Sequence, residues 1–222
     1  MLSHFSKCFF LILCCFFCIF TSCNQNETEL LSTTGTLIFE YDENSTIPKT
    51  RLSVFVNTKN EAVRSQKIEV KGPKDNLKWI LEDLVFIKSN NRQWAGYPKL
   101  FMNENSNFSG GRYVVKLTDL QDNEAESAFI LTFNEELLLC PKEEIFDKVN
   151  GKLNQNIVLY DKDENLIYYG AKRNTWRTSK NIKRDYNKTE FLRKCWSNST
   201  GSLLFLYPLE KVNDSETENL LK

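Results

Sequence analysis

The feature that most constrains the fold is a pair of apolar segments near the middle of this 222-residue chain. The first covers residues 112–118 and the second residues 125–133, with a short polar stretch between them. In the first segment, Tyr113, Val115 and Leu117 fall on one face at period two. Because successive side chains of a strand point to opposite faces, this pattern predicts an antiparallel β-hairpin with one buried face.

Similar short segments precede this hairpin. They are rich in β-branched and aromatic residues and end in polar or Gly-Pro turn material, which is typical of strands. They cover residues 36–41, 51–57, 66–71, 77–79 and 84–87. With no convincing helix between them, they predict a sandwich of antiparallel sheets over residues 35–134. The side chains predicted to face its core are Phe39, Val54, Val56, Ile68, Trp79, Tyr113, Val115, Leu117 and Phe129.

The run 111–119 followed by 123–131 resembles the last two strands of immunoglobulin-like and fibronectin-type domains. In those domains a tyrosine near the start of the penultimate strand anchors a corner, and Tyr113 is placed to do so. No Cys…Trp…Cys spacing accompanies the pattern, which excludes a classical antibody-type domain. The resemblance implies a mainly β protein built on an antiparallel immunoglobulin-like β-sandwich.

The sequence pattern changes after the predicted sandwich, from short strands alone to a mixture of helix and strand signals. A short helix is predicted at residues 141–150, because Pro141 suits the first helical position and Gly151 the stop. Strands follow at 156–160, 166–169 and 202–207. Residues 135–209 are therefore predicted to be a smaller mixed β/α C-terminal region, which either extends the sandwich or forms a second unit. Residues 210–222 are acidic and polar, and we predict a disordered tail.

The amino terminus predicts where the protein resides. Thirteen residues from Cys8 to Phe20 lack any polar group. As a helix they would rise about 20 Å, short of the roughly 30 Å hydrocarbon core of a bilayer. A positively charged start, a short apolar run and small residues at its end are typical of a secretory signal peptide, here residues 1–22.

The last four residues of this segment, Phe20-Thr21-Ser22-Cys23, resemble a bacterial lipobox with Phe20 in place of the usual leucine. The resemblance implies cleavage before Cys23 and attachment of a lipid anchor with acyl chains such as palmitate. Residues 23–34 would then be the lipidated cysteine and a flexible tether. Asn24 resembles the outer-membrane sorting pattern of lipoproteins. Alternatively, an ordinary signal peptidase cuts after Cys23.

Removal of the signal peptide limits the residues that are available for catalysis or metal binding. The only histidine, His4, leaves with it, and so does Lys7, so the mature chain has 28 Lys and Arg against 29 Asp and Glu. The commonest general base and metal ligand is then missing, and we predict no metal and no cofactor. Residues 161–165 have the opening rhythm of a calcium loop. However, Leu166 and Lys172 occupy positions that require Gly and Glu, so we interpret this stretch as a hairpin turn.

Cys140 and Cys195 remain in a compartment that permits oxidation, and a disulfide between them is predicted. The alternative is two separate buried thiols, which behave as small hydrophobes. Neither is predicted to be catalytic, since no histidine is present to activate a thiol.

A basic stretch over residues 172–194 contains the candidate binding residues. They are Lys172, Arg173, Arg177, Lys180, Lys183 and Arg184, with the aromatic residues Trp176 and Tyr186 interleaved. This composition indicates a docking surface for an anionic lipid, glycan or protein partner, and no nucleic acid is expected. The alternative is a structural segment whose aromatic rings pack inward and whose charges are paired within the molecule.

Together these features predict a non-enzymatic cell-envelope lipoprotein that presents an immunoglobulin-like module for binding or structural interaction at a bacterial membrane surface. The alternative is an envelope hydrolase that uses a carboxylate pair on glycan, which a cleft with two converging carboxylates of perturbed pKa would favour. Six Asn-x-Ser/Thr triplets leave open a third interpretation, a eukaryotic secreted glycoprotein.

Overall fold

The computed structural model describes residues 28–59, 61–74, 77–89, 91–103 and 106–212. The predicted signal peptide, the lipidation residue Cys23 and the tail beyond residue 212 lie outside the described residues. Half of the structure is strand and 12% is helix, so the prediction of a mainly β protein is confirmed. No helix in the described ranges has the length and apolar character that a membrane crossing requires.

The first eight strands of the described chain are β1 (Leu30–Glu40), β2 (Lys49–Thr58), β3 (Ser65–Lys71), β4 (Lys78–Leu81), β5 (Val85–Ser89), β6 (Arg92–Leu100), β7 (Gly111–Asp119) and β8 (Glu124–Leu131). The remaining elements are α1 (Ile145–Lys148), β9 (Leu153–Tyr160), β10 (Leu166–Gly170), α2 (Ser179–Asp185), β11 (Phe191–Asn198), β12 (Leu203–Leu206) and β13 (Glu210–Lys211). Short 3-10 turns lie at Ala62–Arg64, Glu135–Leu139 and Lys142–Glu144.

The smaller of the two sheets has the strand order β4-β3-β7-β8 and is antiparallel throughout. It contains the predicted hairpin, with Tyr113 of β7 opposite Phe129 of β8. The turn between these strands is closed by Asp119, whose carboxylate accepts hydrogen bonds from the backbone N–H groups of Gln121 and Asn123 at 2.8 and 3.0 Å. A short acidic side chain that bonds its own backbone in this way stabilises a turn.

The larger sheet has the order β10-β9-β11-β12-β1-β2-β6-β5, and β13 pairs with β11. All neighbours are antiparallel except β1 and β12, where Phe39 lies opposite Phe205 in a parallel pair. Because β12 lies beside β1, the C-terminal strands continue the same sheet.

The core lies between the smaller sheet and the β12-β1-β2-β6 part of the larger sheet. Eight of the nine side chains predicted to face it are buried, and Trp79 is half-buried. The Trp79 indole donates a hydrogen bond to the backbone carbonyl of Phe101 at 3.2 Å and its ring stacks on Phe108. Trp79 therefore lies at the edge of the core, where its indole N–H has a hydrogen-bond acceptor, instead of being fully buried.

Three strands and one helix were not predicted, and β1 begins at Leu30, inside the predicted tether at residues 23–34. Strand β6 contains Gly96 and Pro98, which normally argue against a strand. The glycine is required because a Cβ atom there would overlap the backbone oxygen of Val54 and the ring of Phe55 on the neighbouring strand. Helix α2 lies in the basic stretch and β11 begins in it, and the charges there conceal the apolar pattern. Strand β13 lies at the start of the predicted tail, where it pairs with β11 and is followed by buried Val212, so the prediction of a disordered tail is wrong for residues 210–212.

The predicted helix at 141–150 is shorter than expected. The chain makes a 3-10 turn at Lys142–Glu144 and then the single helical turn of α1, and Val149 is already extended. Ile145 and Val149 are buried, and Phe146 packs edge-on against Trp196 at 5.6 Å between ring centroids. Tertiary contacts therefore hold a helix too short to be stable on its own.

Candidate functional site

The strongest candidate site lies on the face of the larger sheet that points away from the sandwich core, here called the outer face. On β1, Leu37 and Phe39 point into the core, so Ile38 and its alternate neighbours point to the outer face. Directly opposite residues of paired strands share a face. The register pairs Thr34 with Phe55.

The same register extends the outer face to the edge of the sheet. Asn57 lies two residues beyond Phe55 on β2 and is opposite Trp94 of β6. Trp94 is in turn opposite Ile87 of β5. Side chains from β1, β2, β6 and β5 therefore meet on one surface.

The sheet curls so that its two edges approach each other across this face. Ile87 of β5 and Tyr169 of β10 belong to the two edge strands, yet both line one open groove of about 750 Å³. We call this the edge groove, and it is lined by Thr34, Phe55, Ile87, Ser89, Arg92, Trp94 and Tyr169. Its lining comes from five strands, and no sequence motif links them.

Beside the groove, the outer face has its own small core, formed by Ile38, Val158, Cys195 and Leu206. Tyr169 lies beside this core, because it is opposite Val158 in the register of β10 with β9, and burial raises the pKa of its phenol. The curl is thus supported by apolar packing across the face.

The lining of the groove combines flat apolar surfaces with polar groups. Phe55 and Trp94 are half-buried, whereas Tyr169 and Ile87 are 50% and 44% exposed. Hydroxyl groups and the Arg92 guanidinium add hydrogen-bond donors. Aromatic walls with a few convergent polar groups are typical of ligand-binding sites.

At the other end of the outer face, two arginines share one carboxylate. Arg193 Nη1 lies 2.5 Å from Glu40 Oε1, and Arg51 Nε lies 3.4 Å from Glu40 Oε2. Arg51 also donates to the backbone oxygen of Pro98 at 2.6 Å. All three charged side chains are largely shielded from solvent. This cluster fastens β1, β2 and β11 together, and loss of Glu40 would leave two poorly hydrated cations.

The predicted basic stretch is largely occupied by its own internal contacts. The guanidinium of Arg173 lies 5.1–5.8 Å from the ring centroids of Tyr168, Trp176 and Tyr186. It also pairs with Asp185 at 3.3 Å. Trp176 is fully buried, and its indole N–H donates to Asp185 Oδ2 at 2.7 Å. Cation–π contacts of this kind stabilise the packing of the segment on itself.

The other predicted docking residues differ in their exposure, and several of them are paired. Lys183 lies 3.9 Å from Glu190, and Arg184 lies 3.2 Å from Asp185. Arg177 and Lys180 are exposed, and Lys172 is half-buried with its pKa lowered by burial and by nearby Lys194. With Trp176 buried and Tyr186 in contact with Arg173, these contacts favour the structural alternative for the stretch.

The prediction of a disulfide between Cys140 and Cys195 is wrong. Cys140 and Cys195 are both free and buried, and they belong to different apolar clusters. The Cys140 thiol donates to the backbone oxygen of Pro141 at 3.2 Å. Burial raises the pKa of Cys195 to about 12, so its thiol stays protonated. The sequence could not predict that the two thiols are apart, because local sequence carries no information about the distance between residues far apart in the chain.

Four carboxyl groups in the described ranges have a shifted pKa. Each carboxyl with a shifted pKa there is shifted downward, by hydrogen bonds or cations that favour the charged form; these are Glu69, Asp119, Asp161 and Asp185. A general acid at neutral pH needs a raised pKa instead. No group of three or more His, Cys, Asp or Glu side chains within the described part is arranged to hold a metal ion.

The Asp161 carboxylate accepts hydrogen bonds from the backbone N–H groups of Asp163 and Asn165 at 2.9 and 2.8 Å. It therefore closes the turn between β9 and β10, as the hairpin interpretation of residues 161–165 requires.

A second cavity, of about 530 Å³, lies at the end of the sandwich and is lined in part by Met102, Phe108 and Leu138. Its walls are connecting segments, and among the described residues Phe108 is the one aromatic side chain that lines it, whereas Phe55, Trp94 and Tyr169 line the edge groove. The chain matches no protein-family model, and comparison with curated proteins and with solved structures finds no match either.

Proposed function

We propose that the mature chain is a non-enzymatic, lipid-anchored binding module of a bacterial cell envelope and that the edge groove holds its ligand. The observation that carries this proposal is the meeting of the two edge strands, through Ile87 and Tyr169, across one open groove. A curled sheet with aromatic side chains on its concave face is a common location for ligands.

We further propose that residues 35–134 are an immunoglobulin-like sandwich. The order β5-β6-β2-β1 against β4-β3-β7-β8 is consistent with strands D-E-B-A facing C′-C-F-G in such domains. The hydroxyl of buried Tyr113 donates to the backbone oxygen of Ser109 at 2.9 Å, four residues upstream, which agrees with a tyrosine corner. The C-terminal strands then extend the sheet beyond strand A.

The anchor is tested separately from the groove. Cys23→Ala should leave the protein unprocessed or released from the membrane fraction, because one sulfur atom would carry the whole anchor. Detergent phase partitioning of the wild type and the variant, with intact mass of the mature amino terminus, measures this. If the alanine variant partitions into detergent like the wild type, the lipobox interpretation fails.

The groove is tested by the double variant Ile87→Thr with Tyr169→Ser. An array of envelope glycans and a displayed peptide library provide the probes. Any ligand selected on the wild type should bind the double variant at least about tenfold more weakly, because two exposed walls are removed. The control is Ile130→Thr, the same aliphatic change at an exposed position of β8 on the other sheet. Equal binding by wild type and groove variant would contradict the proposal.

A further inference from the structure

We infer that the edge groove takes an extended peptide segment of a partner protein, which adds to the free edge of β5 as an extra strand. The inference rests on the groove of the proposed function and states how that groove recognises its ligand.

β5 is a free edge of the larger sheet. Among the described residues it pairs only with β6, and the register is unbroken from Val85 opposite Gly96 to Ser89 opposite Arg92. Every residue of β5 is exposed, including three consecutive apolar side chains, Val85–Ile87, at 40–44%. β5 is short and carries one charge, Lys88, but its register has no bulge, so its three apolar residues remain open to pairing with another chain.

A partner strand would meet the backbone groups of β5 that do not bond to β6. Two residues connect β5 to β6, so Ser89 and Arg92 flank the turn as a hydrogen-bonded pair. Alternation along the strand then directs the N–H and C=O groups of Ile87 to β6 as well. Those of Phe86 and Lys88 point to the free edge, where an added strand would bond them.

A partner strand would also meet the side chains that line the groove beside β5. Ile87 and Ser89 of β5 face the groove, with Trp94 behind them and Tyr169 on the opposite wall. A strand paired to β5 would insert alternate side chains into this groove, where apolar ones would contact aromatic rings. Such pairing takes affinity from the main chain and specificity from alternate pockets.

Charge complementarity indicates the composition of the partner segment. Lys88 and Arg92 stand at the closed end of the hairpin, and neither forms an ion pair with another described residue. Arg92 lines the groove and Lys88 points to the opposite face, so an acidic residue near this end of the added strand would be attracted to one of the two cations, whichever face it is on. The occupant we propose is therefore an extended segment in which apolar residues alternate with polar residues that include acidic ones.

The experiment uses the full chain in detergent and a displayed library of twelve-residue peptides with an apolar residue at every second position. Peptides selected on the wild type are measured by fluorescence anisotropy against Lys88→Pro and Lys88→Ala. Proline removes the outward N–H and leaves the hydrogen bonds to β6 intact, whereas alanine removes the charge and keeps the N–H. We expect binding to weaken about tenfold in Lys88→Pro relative to Lys88→Ala.

A second measurement does not depend on the folding of the proline variant. The selected peptides are resynthesised with alternate backbone nitrogens methylated in the two possible phases and tested on the wild type. One phase should lose binding and the other keep it, because an added strand directs only every second N–H to its partner.

Four outcomes would overturn the inference. If selected peptides bind Lys88→Pro and Lys88→Ala equally but fail on Ile87→Thr with Tyr169→Ser, the groove binds without strand addition and the proposed function stands. If the ligand is a glycan, or if the wild type forms a dimer that Lys88→Pro dissociates, the occupant is different. If no peptide is enriched, strand addition is wrong, and the glycan array alone decides the groove.

Discussion

Replacing Tyr113 by Phe tests the corner that fixes the start of β7. The Tyr113 side chain is fully buried, and its hydroxyl donates to the backbone oxygen of Ser109 at 2.9 Å. The phenylalanine ring fills the same space and keeps the stacking on Phe129, where the ring centroids are 5.1 Å apart. The loss is therefore one buried hydrogen bond and an acceptor left without its donor, which costs about 1.5 kcal/mol of unfolding free energy. For a chain of this size the melting temperature should fall by about 3–6 °C.

Urea denaturation followed by fluorescence measures this difference, with Tyr97→Phe as the matched control. Tyr97 is half-buried at the edge of the same core, and its hydroxyl makes no hydrogen bond to another described residue. We expect the control to change the unfolding free energy by less than about 0.5 kcal/mol. If both variants are equally stable, the corner hydrogen bond does not contribute to stability as argued.

Three further predictions use contacts elsewhere in the fold. Gly35→Ala should cost about 1–3 kcal/mol, because a methyl group there would overlap the ring of Phe129; a double variant with Phe129→Leu should recover part of the loss in a thermal melt, and simple additivity would refute the contact. Cys140 and Cys195 should react with a thiol reagent only after denaturation. If the protein is denatured without a reducing agent and no thiol reacts, the two cysteines form a bridge. Burial raises the pKa of Tyr41 above its ordinary value of 10, so the stability that its neutral form contributes should be complete below pH 10 and should fall as the pH rises above 10. Unfolding free energies that agree at pH 8 and pH 10.5 would contradict this.

The sequence alone determined the strands in which burial follows a local alternation. In β7, Tyr113, Val115 and Leu117 are all buried, as their period of two predicts. The turn that follows could also be predicted, because Asp119 bonds its own neighbouring backbone and needs no distant partner. Local chemistry sufficed wherever the stabilising groups are close in the chain.

Only the tertiary structure decided the features that depend on distant partners. In β11, Arg193 and Lys194 interrupt the apolar pattern, and they are accommodated because Glu40 and Glu210 lie beside them. The sequence left open whether the basic stretch is a docking surface or a segment whose charges are paired within the molecule, since a charge in the sequence carries no information about its partner. The disulfide prediction was wrong for the same reason: two apolar thiols reveal neither their separation nor their cluster.

The edge groove is the clearest case of a site that sequence could not predict. Phe55, Trp94 and Tyr169 lie on separate strands, and only the pairing register and the curl of the sheet place their rings around one groove. The parallel pairing of β1 with β12 carries the C-terminal strands onto the same sheet and so makes this curl. Alternation in a sequence predicts that a strand has two faces, whereas the long-range pairing of strands decides what each face meets.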